Sequence, residues 1–328
     1  MFGNWINIHD LGRLREKIAR GEWRQVARKL VADSRGKTRA AWEHTQEPPL
    51  HAWDMPALRR RWNKLVSGDE AVDHVAYVAG RFLAGRKGLK AFSPGCGGGG
   101  NELRWAETGL FERIDACDLS APRIAGAVAM AERKGLAAIA AFSVGDMRSM
   151  GGRERYDLVI VEGALHHFFP MRAALLQIKE MLKPGGLLVV NDFVGPSRFQ
   201  WTPRQLEAAN AMLALIPEAY KRRWPDGKVK KNIVAPGRLR MKLADPSEAA
   251  ESSLILPLLA ETFTPLALIN KGGALACLVF FEIAHLYIPG DETAERILQL
   301  CFALEDLLMQ SGEISSDYIL GVYRKPGA

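Results

Sequence analysis

With 328 residues, 48% of them apolar, the chain has enough hydrophobic material for one large domain or a domain with a cap, which excludes a disordered or low-complexity protein. Its net charge of +7 is uneven: Lys221 to Lys242 carries nine Lys or Arg against the single acid Asp226, and everything outside that segment sums to −1. Such a patch points to an anionic acceptor, a nucleic acid or a membrane surface, whereas the ten basic and four acidic side chains of residues 1 to 40 fit a solvated helix face or loop.

Leu11, Leu14, Ile18, Val26 and Leu30 recur at roughly helical spacing over residues 10 to 34, with Gly21 as a break. A second helix is expected to open at Asp54 as N-cap with Pro56 in its first turn, and a third to cover about Glu70 to Leu83. From Leu89 the pattern changes. Strand-like runs near 88 to 93, 113 to 118, 138 to 144, 156 to 161 and 185 to 192 alternate with helix-like runs near 101 to 109, 121 to 134 and 171 to 182, the mark of a mostly parallel sheet with crossover helices. After Phe193 come a loop and an amphipathic helix within 196 to 220, then the basic segment. A strand over 263 to 270, helices over 274 to 287 and 291 to 311, and a final strand over 316 to 324 complete the chain.

The first strand runs into LKAFSPGCGGGGNEL, residues 89 to 103, a strand, a glycine turn and a helix start. Glycine lets backbone N–H groups approach a ligand with no Cβ in the way, and the helix N-terminus adds partial positive charge. Nineteen residues beyond Gly99, Asp118 ends the second strand where a doubly wound sheet places the acid that accepts from a ribose diol. Gly95, Gly97 and Gly100 also satisfy the dinucleotide pattern, so the turn alone leaves hydride transfer open. Cys96, Cys117, Cys277 and Cys301 have neither C-x-x-C spacing nor a nearby His. No metal centre is expected, and a reduced, cytoplasmic setting fits. The N-terminus lacks the apolar core of a signal peptide, and Ala274 to Phe281 is too short to span a bilayer, so a soluble chain is expected.

As an ordered set, SPGCGGGG, CDLS, VGDM, YDLVIVEGALHHF and LKPGGLLVV, spanning 89 to 192, resemble the class I S-adenosylmethionine-dependent methyltransferases. The flanking segments resemble a bacterial branch of that superfamily associated with glycosyltransferases and surface glycan biosynthesis. The resemblance implies a Rossmann-like α/β fold: a seven-stranded, mostly parallel sheet with helices on both faces, an N-terminal helical region and helical lid insertions. It divides the chain into an N-terminal helical cap (1–85), a cofactor-binding core (86–195), a helical and basic lid (196–260) and a C-terminal completion of the sheet (261–328). S-adenosylmethionine is the implied cofactor, held by Ser93, Gly95, Cys96, Gly97, Gly99, Asp118, Leu119, Asp146, Met147 and Glu162. Asp118 would take the ribose hydroxyls, and Asp146 with Met147 the adenine. The family usually has an acid where Ser93 stands, which leaves the cofactor's amino group to other atoms.

A hydroxyl acceptor must lose a proton, a task suited to His166 or His167 directly after the fourth strand. Asp192 is a lesser candidate, and Arg198, Gln200 and Trp201 are placed in order to wall an acceptor pocket. O-methylation of a sugar, glycan or other small polar molecule is therefore expected, with an anionic acceptor if the basic segment reads it. RNA or protein methylation and non-catalytic cofactor binding are the alternatives. The Asp/Asn-Pro-Pro-aromatic clamp of base N-methylation and the Pro-Cys pair of cytosine C5 chemistry are both absent.

Overall fold

The computed structural model describes residues 48–150 and 152–327 together with residues 4, 5, 7 and 10. The helix expected over 10 to 34, and nearly all of the basic stretch 1 to 40, lie outside the described residues.

Successive strand residues point to opposite faces, and here both faces are apolar. In one central strand Leu158 and Ile160 enter one hydrophobic cluster while Val159 and Val161 enter another; in the next, Leu187 and Val189 oppose Leu188 and Val190 in the same way. Strands of that kind must be covered by helices on both sides. The strands are β1 (Leu89–Pro94), β2 (Phe111–Asp118), β3 (Ala140–Val144), β4 (Tyr156–Glu162), β5 (Leu182–Phe193), β6 (Thr264–Gly272) and β7 (Tyr318–Arg324). They form one seven-stranded sheet in the order β3-β2-β1-β4-β5-β7-β6. Strands β1 to β5 pair in parallel, and β7 runs antiparallel to both β5 and β6. Strand order reverses between β1 and β4, so the crevice for a ligand opens at their carboxyl ends.

The helices in chain order are α1 (Pro56–Ser67), α2 (His74–Phe82), α3 (Gly100–Glu107), α4 (Ala121–Arg133), α5 (Met171–Met181), α6 (Pro203–Leu215), α7 (Arg238–Ala244), α8 (Ile255–Thr262), α9 (Ala276–Phe280) and α10 (Glu292–Gln310). Val75 and Val78 of α2 and Trp105 of α3 cover one face of the sheet; Leu175 and Ile178 of α5 with Leu258 and Leu259 of α8 cover the other. A third cluster joins Leu58 of α1, Met212 of α6, Val279 of α9 and Leu298 of α10. Helices from before and after the parallel core thus share one apolar centre.

Local chemistry sets the helix ends. Thr202 accepts from the Gln205 N–H while the Gln205 side chain accepts from the Thr202 N–H, a reciprocal cap followed by Pro203, which opens α6. Two expectations shift. Asp54 does not cap α1: it pairs with Arg59, 2.5 Å away, and Met55 is the cap residue. The helix expected over 274 to 287 stops at Phe280, and Glu282 adopts a left-handed conformation (φ 67°) that a continuing helix cannot accommodate. Among the described residues no helix is long and apolar enough to cross a membrane.

Candidate active site

The glycine turn is held from beneath by β2. The Gly95 and Cys96 N–H groups both donate to the Cys117 carbonyl (2.7 and 3.1 Å). Asp118 then ties the turn to its own strand end: Oδ2 accepts from the Gly97 N–H (3.0 Å) and Oδ1 from the Ser120 N–H (2.8 Å). Gly95 has φ 74°, and a Cβ there would stand 2.7 Å from the Ala164 Cβ; at Gly99, φ 78°, it would stand 2.7 Å from both Ala127 and the Phe142 ring. Above this turn lies a cleft of about 860 Å³, bordered by Gly95, Cys96, Gly97, Asp118, Leu119, Asp146, Met147, Glu162, His167 and Arg198. That volume suits a small organic molecule.

Not every expected residue reaches it. Gly99 caps α3 behind the wall, and Gly98 and Gly100 border the cleft in its stead. Ser93 is a correction: it is buried, lies outside the cleft lining, and its hydroxyl donates to Glu102 Oε1 (2.6 Å). A carboxyl group from α3, itself buried and outside the cleft lining, thus stands against position 93. Burial pushes Glu102 up to about 7 despite the bond from Ser93, and its Oε2 has no hydrogen-bond partner among the described residues. Glu102 drew no attention in the sequence because an acid in a first helical turn is ordinary there.

Asp146 borders the cleft, but Arg148 forks onto its carboxylate (2.6 Å at the closest). Glu162 is committed more deeply: Trp105 Nε1 donates to one oxygen (2.7 Å), while His74 Nε2 (2.7 Å) and Asn191 Nδ2 (3.2 Å) approach the other. Burial alone would raise Glu162, yet His74 and these donors bring it down to about 2. Lys271 continues the chain, donating to Asn191 Oδ1 (2.5 Å) over the Trp62 ring, and burial lowers it to about 8. His74, Asn191 and Lys271 come from three separate elements and carry no motif that would have singled them out.

The turn after β4 carries Leu165, His166 and His167. Asp192, at the end of β5, organises it: Oδ2 accepts from the Ala164 (2.8 Å) and Leu165 (2.7 Å) N–H groups, and Oδ1 lies 2.5 Å from His166 Nδ1. His166 Nε2 stands 3.6 Å from Glu248, and His167 Nε2 4.0 Å from that carboxylate's other oxygen. Burial would lower both imidazoles. Asp192 and Glu248 overcome it at His166, raising it to about 9, whereas the neighbouring His166 adds to it at His167, held well below its usual range.

Arg198 borders the cleft, though its guanidinium donates to the backbone carbonyls of Asp245 (3.4 Å), Pro246 (2.6 Å) and Glu248 (3.2 Å), fixing the loop that carries Glu248. Arg198, Phe199 and Ala249 are left-handed non-glycine residues, and the Arg198 N–H donates to the Ala249 carbonyl (2.6 Å). Backbone strain of about 1–3 kcal/mol per residue is thus gathered where the loop meets the cleft. Gln200 and Trp201 need correcting, since neither lines the cleft. Gln200 donates to the Arg198 and Pro236 carbonyls (2.8 Å each), and Trp201 stacks on Phe199 and donates to Asp317 (3.2 Å). The basic segment is occupied mainly with its own surroundings: Lys230 is buried, donating to the carbonyls of Leu278, Val279 and Phe281, and Arg223 pairs with Asp226. Lys242 is the residue of that segment that borders the cleft.

The family described as "Methyltransferase domain" matches residues 86–250. Among solved structures, geranyl diphosphate C-methyltransferase from Streptomyces coelicolor A3(2), in complex with Mg2+, geranyl diphosphate and S-adenosyl-L-homocysteine, is similar over 90% of this chain and 98% of its own, with 12% identity and a TM-score of 0.52; that likeness concerns the fold. The [4+2]-cyclase SpnF (18% identity, 87% of this chain and 100% of that one, TM-score 0.46) and the N-methyltransferase NodS from Bradyrhizobium japonicum WM9 (17%, 84% and 99%, TM-score 0.42) are more distant in shape.

Proposed function

Because the chain belongs to the methyltransferase-domain family, we propose that its cleft passes the methyl group of S-adenosylmethionine to an oxygen of a small polar acceptor, a sugar or glycan hydroxyl above all, with His167 taking the proton. The chain is an S-adenosylmethionine-dependent methyltransferase; the acceptor and the base are the proposal.

The residues present fit this cofactor. A Cβ at Gly95 would collide with Ala164, and the turn is kept bare where the backbone borders the cleft at Gly97 and Gly98. Asp118, bonded directly to the Gly97 N–H, borders the cleft, and its remaining lone pairs suit a vicinal diol. Asp146 and Met147 would border the adenine, and Asp146 holds Arg148 at the same place. The cofactor supplies a methyl group on a positively charged sulfur whose leaving group is a neutral thioether. What the chain must add is alignment, exclusion of water and a destination for the acceptor's proton.

The observation that carries the reading is that His167 borders the same cleft as the glycine turn and Asp118. His166, clamped between Asp192 and Glu248, fixes the turn on which His167 sits. Within the basic segment, Lys230 and Arg223 are taken up by contacts inside the fold, which withdraws these two charges from an RNA acceptor. Labelled methyl donor offered to nucleotide sugars, oligosaccharides, small hydroxylated molecules, RNA and protein tests the reading. Label on a glycan or small-molecule oxygen is expected, with turnover lost in His167→Ala while S-adenosylhomocysteine still binds. Label on RNA or protein alone, or full turnover in His167→Ala, would overturn it.

A further inference from the structure

The two imidazoles and Glu248 form a constellation that proton transfer does not account for. His166 and His167 follow β4, and Glu248 arrives from a loop more than eighty residues later, yet one ligating atom of each lies within 4.8 Å of the other two. The gaps to the carboxylate are 3.6 Å from His166 Nε2 and 4.0 Å from His167 Nε2. Around an ion with bonds of about 2.0–2.2 Å, neighbouring ligand atoms stand about 3.0–3.6 Å apart, so the gaps to Glu248 are at or a few tenths of an ångström above coordination spacing, and side-chain adjustment within the set is what binding requires.

What surrounds these atoms matters as much as their spacing. A histidine that binds a metal through one nitrogen almost always donates its other ring N–H to an outer acceptor, commonly a carboxylate, backbone carbonyl or water, which fixes the tautomer and the ring's direction. Asp192 lies 2.5 Å from His166 Nδ1, and Ser247 Oγ 3.3 Å from His167 Nδ1, so both rings are held from the far side with Nε2 on the side of Glu248. Asp192 is itself anchored by three backbone N–H groups, those of Ala164, Leu165 and Phe193, and the Glu248 loop by the Arg198 guanidinium. Three ligands also leave coordination positions unfilled, and His167 and Ser247 border the cleft.

We propose that His166 Nε2, His167 Nε2 and a carboxylate oxygen of Glu248 bind one divalent first-row transition-metal ion of the zinc type at the wall of the cleft, with an open position for a small oxygen ligand. The donor set, two imidazoles and a carboxylate, suits zinc, cobalt or ferrous iron better than magnesium or calcium, which prefer all-oxygen surroundings. The inference goes beyond the methyl-transfer reading, because the site needs neither the cofactor nor an acceptor to form.

Titration of the full chain with Co2+, followed by its visible d–d absorption and by calorimetry, then displacement with Zn2+, tests the site directly. One equivalent is expected, with no thiolate charge-transfer band, since the four cysteines take no part. Binding should be lost in His166→Ala, in His167→Ala and in Glu248→Gln. It should weaken by roughly 10–100-fold in Asp192→Asn, which removes only the outer partner. His285→Ala, away from the cleft, should bind as the parent does, and near-ultraviolet circular dichroism establishes that each variant is folded. An absent cobalt spectrum, binding undiminished in the three ligand variants, or a thiolate band would overturn the site. A bound ion takes both Nε2 lone pairs, so transfer that relies on His167 stops at saturating Zn2+. Turnover that rises instead keeps the site and removes His167 from the role of base, so the two readings fail separately.

Discussion

Replacing Gly95 by alanine tests whether the turn is built by conformation or merely tolerates glycine. Its φ of 74° costs a residue with a Cβ about 1–2 kcal/mol, and the added carbon would sit 2.7 Å from the Ala164 Cβ, inside any real carbon–carbon contact. Relieving that overlap means moving Ala164, whose N–H donates to Asp192, so the cost of overpacking, typically about 1–3 kcal/mol, applies in full. Gly95→Ala should therefore lose about 2–5 kcal/mol. At Gly98, three residues on, an added Cβ would meet nothing within 4 Å among the described residues and φ is not positive, so Gly98→Ala should stay within about 0.5 kcal/mol of the parent. Urea unfolding reads both, through midpoints at a constant slope. Equal midpoints for the two variants, or a Gly95→Ala protein as stable as the parent, would refute the argument.

Three further outcomes follow from single side chains. Asp118→Asn retains one acceptor oxygen for two backbone N–H groups and gives up the charge. Its affinity for S-adenosylhomocysteine should fall about 10–100-fold by calorimetry, and an unchanged affinity would remove Asp118 from the site. Lys230→Met strips the donor from three carbonyls, two of them buried, and should destabilise the fold by roughly 2 kcal/mol or more, while leaving KM for the acceptor as it was; a raised KM alone would restore the segment to recognition. Glu102 supplies a pH dependence. Burial holds its folded pKa at about 7, above the ordinary 4.5, so the fold favours the protonated form. That contribution is fully present below the unfolded value and is lost as pH rises to about 7, an effect on the order of 3 kcal/mol. Glu102→Gln should flatten this part of a stability–pH curve, and an unaltered slope would show that the carboxyl group is ionised in the fold.

The seven strands and the parallel core were legible because each depends on neighbours in sequence: the apolar runs at Val159 to Val161 and Leu187 to Val190 and the glycines of the turn. The same locality explains why Asp118 could be placed across from the turn. Where sequence reading failed, the deciding partner lay far along the chain. Trp201 looked like a pocket wall until Asp317, 116 residues away, took its N–H. The positive charge at Lys230 suggested a recognition surface, but the carbonyls around Leu278 bury it. Glu248 was passed over because nothing in DPSEAAESS reveals that Arg198 folds this loop against the histidines.

In-line methyl transfer tolerates little error in the placement of donor and acceptor, so the rigidity of the joint between their sites matters more than the number of contacts at either. In this fold the joint is short. Gly95 of the donor turn packs directly under Ala164, the first residue of the turn that presents both histidines. Asp192 pins that turn through two backbone N–H groups and through His166, and its own backbone sits in β5, paired with β4 on one side and β7 on the other. The glycine turn is tied in the same manner to β2 by Cys117 and Asp118. The glycine turn and the histidine turn are therefore positioned by strands of one hydrogen-bonded sheet, while the imidazoles on the second turn are also met by Ser247 and Glu248 of the 196–250 segment. That segment bears on chemistry by bringing Glu248 to the histidines and Lys242 to the cleft, and can vary in its outer face without disturbing the distance from glycine turn to histidine turn.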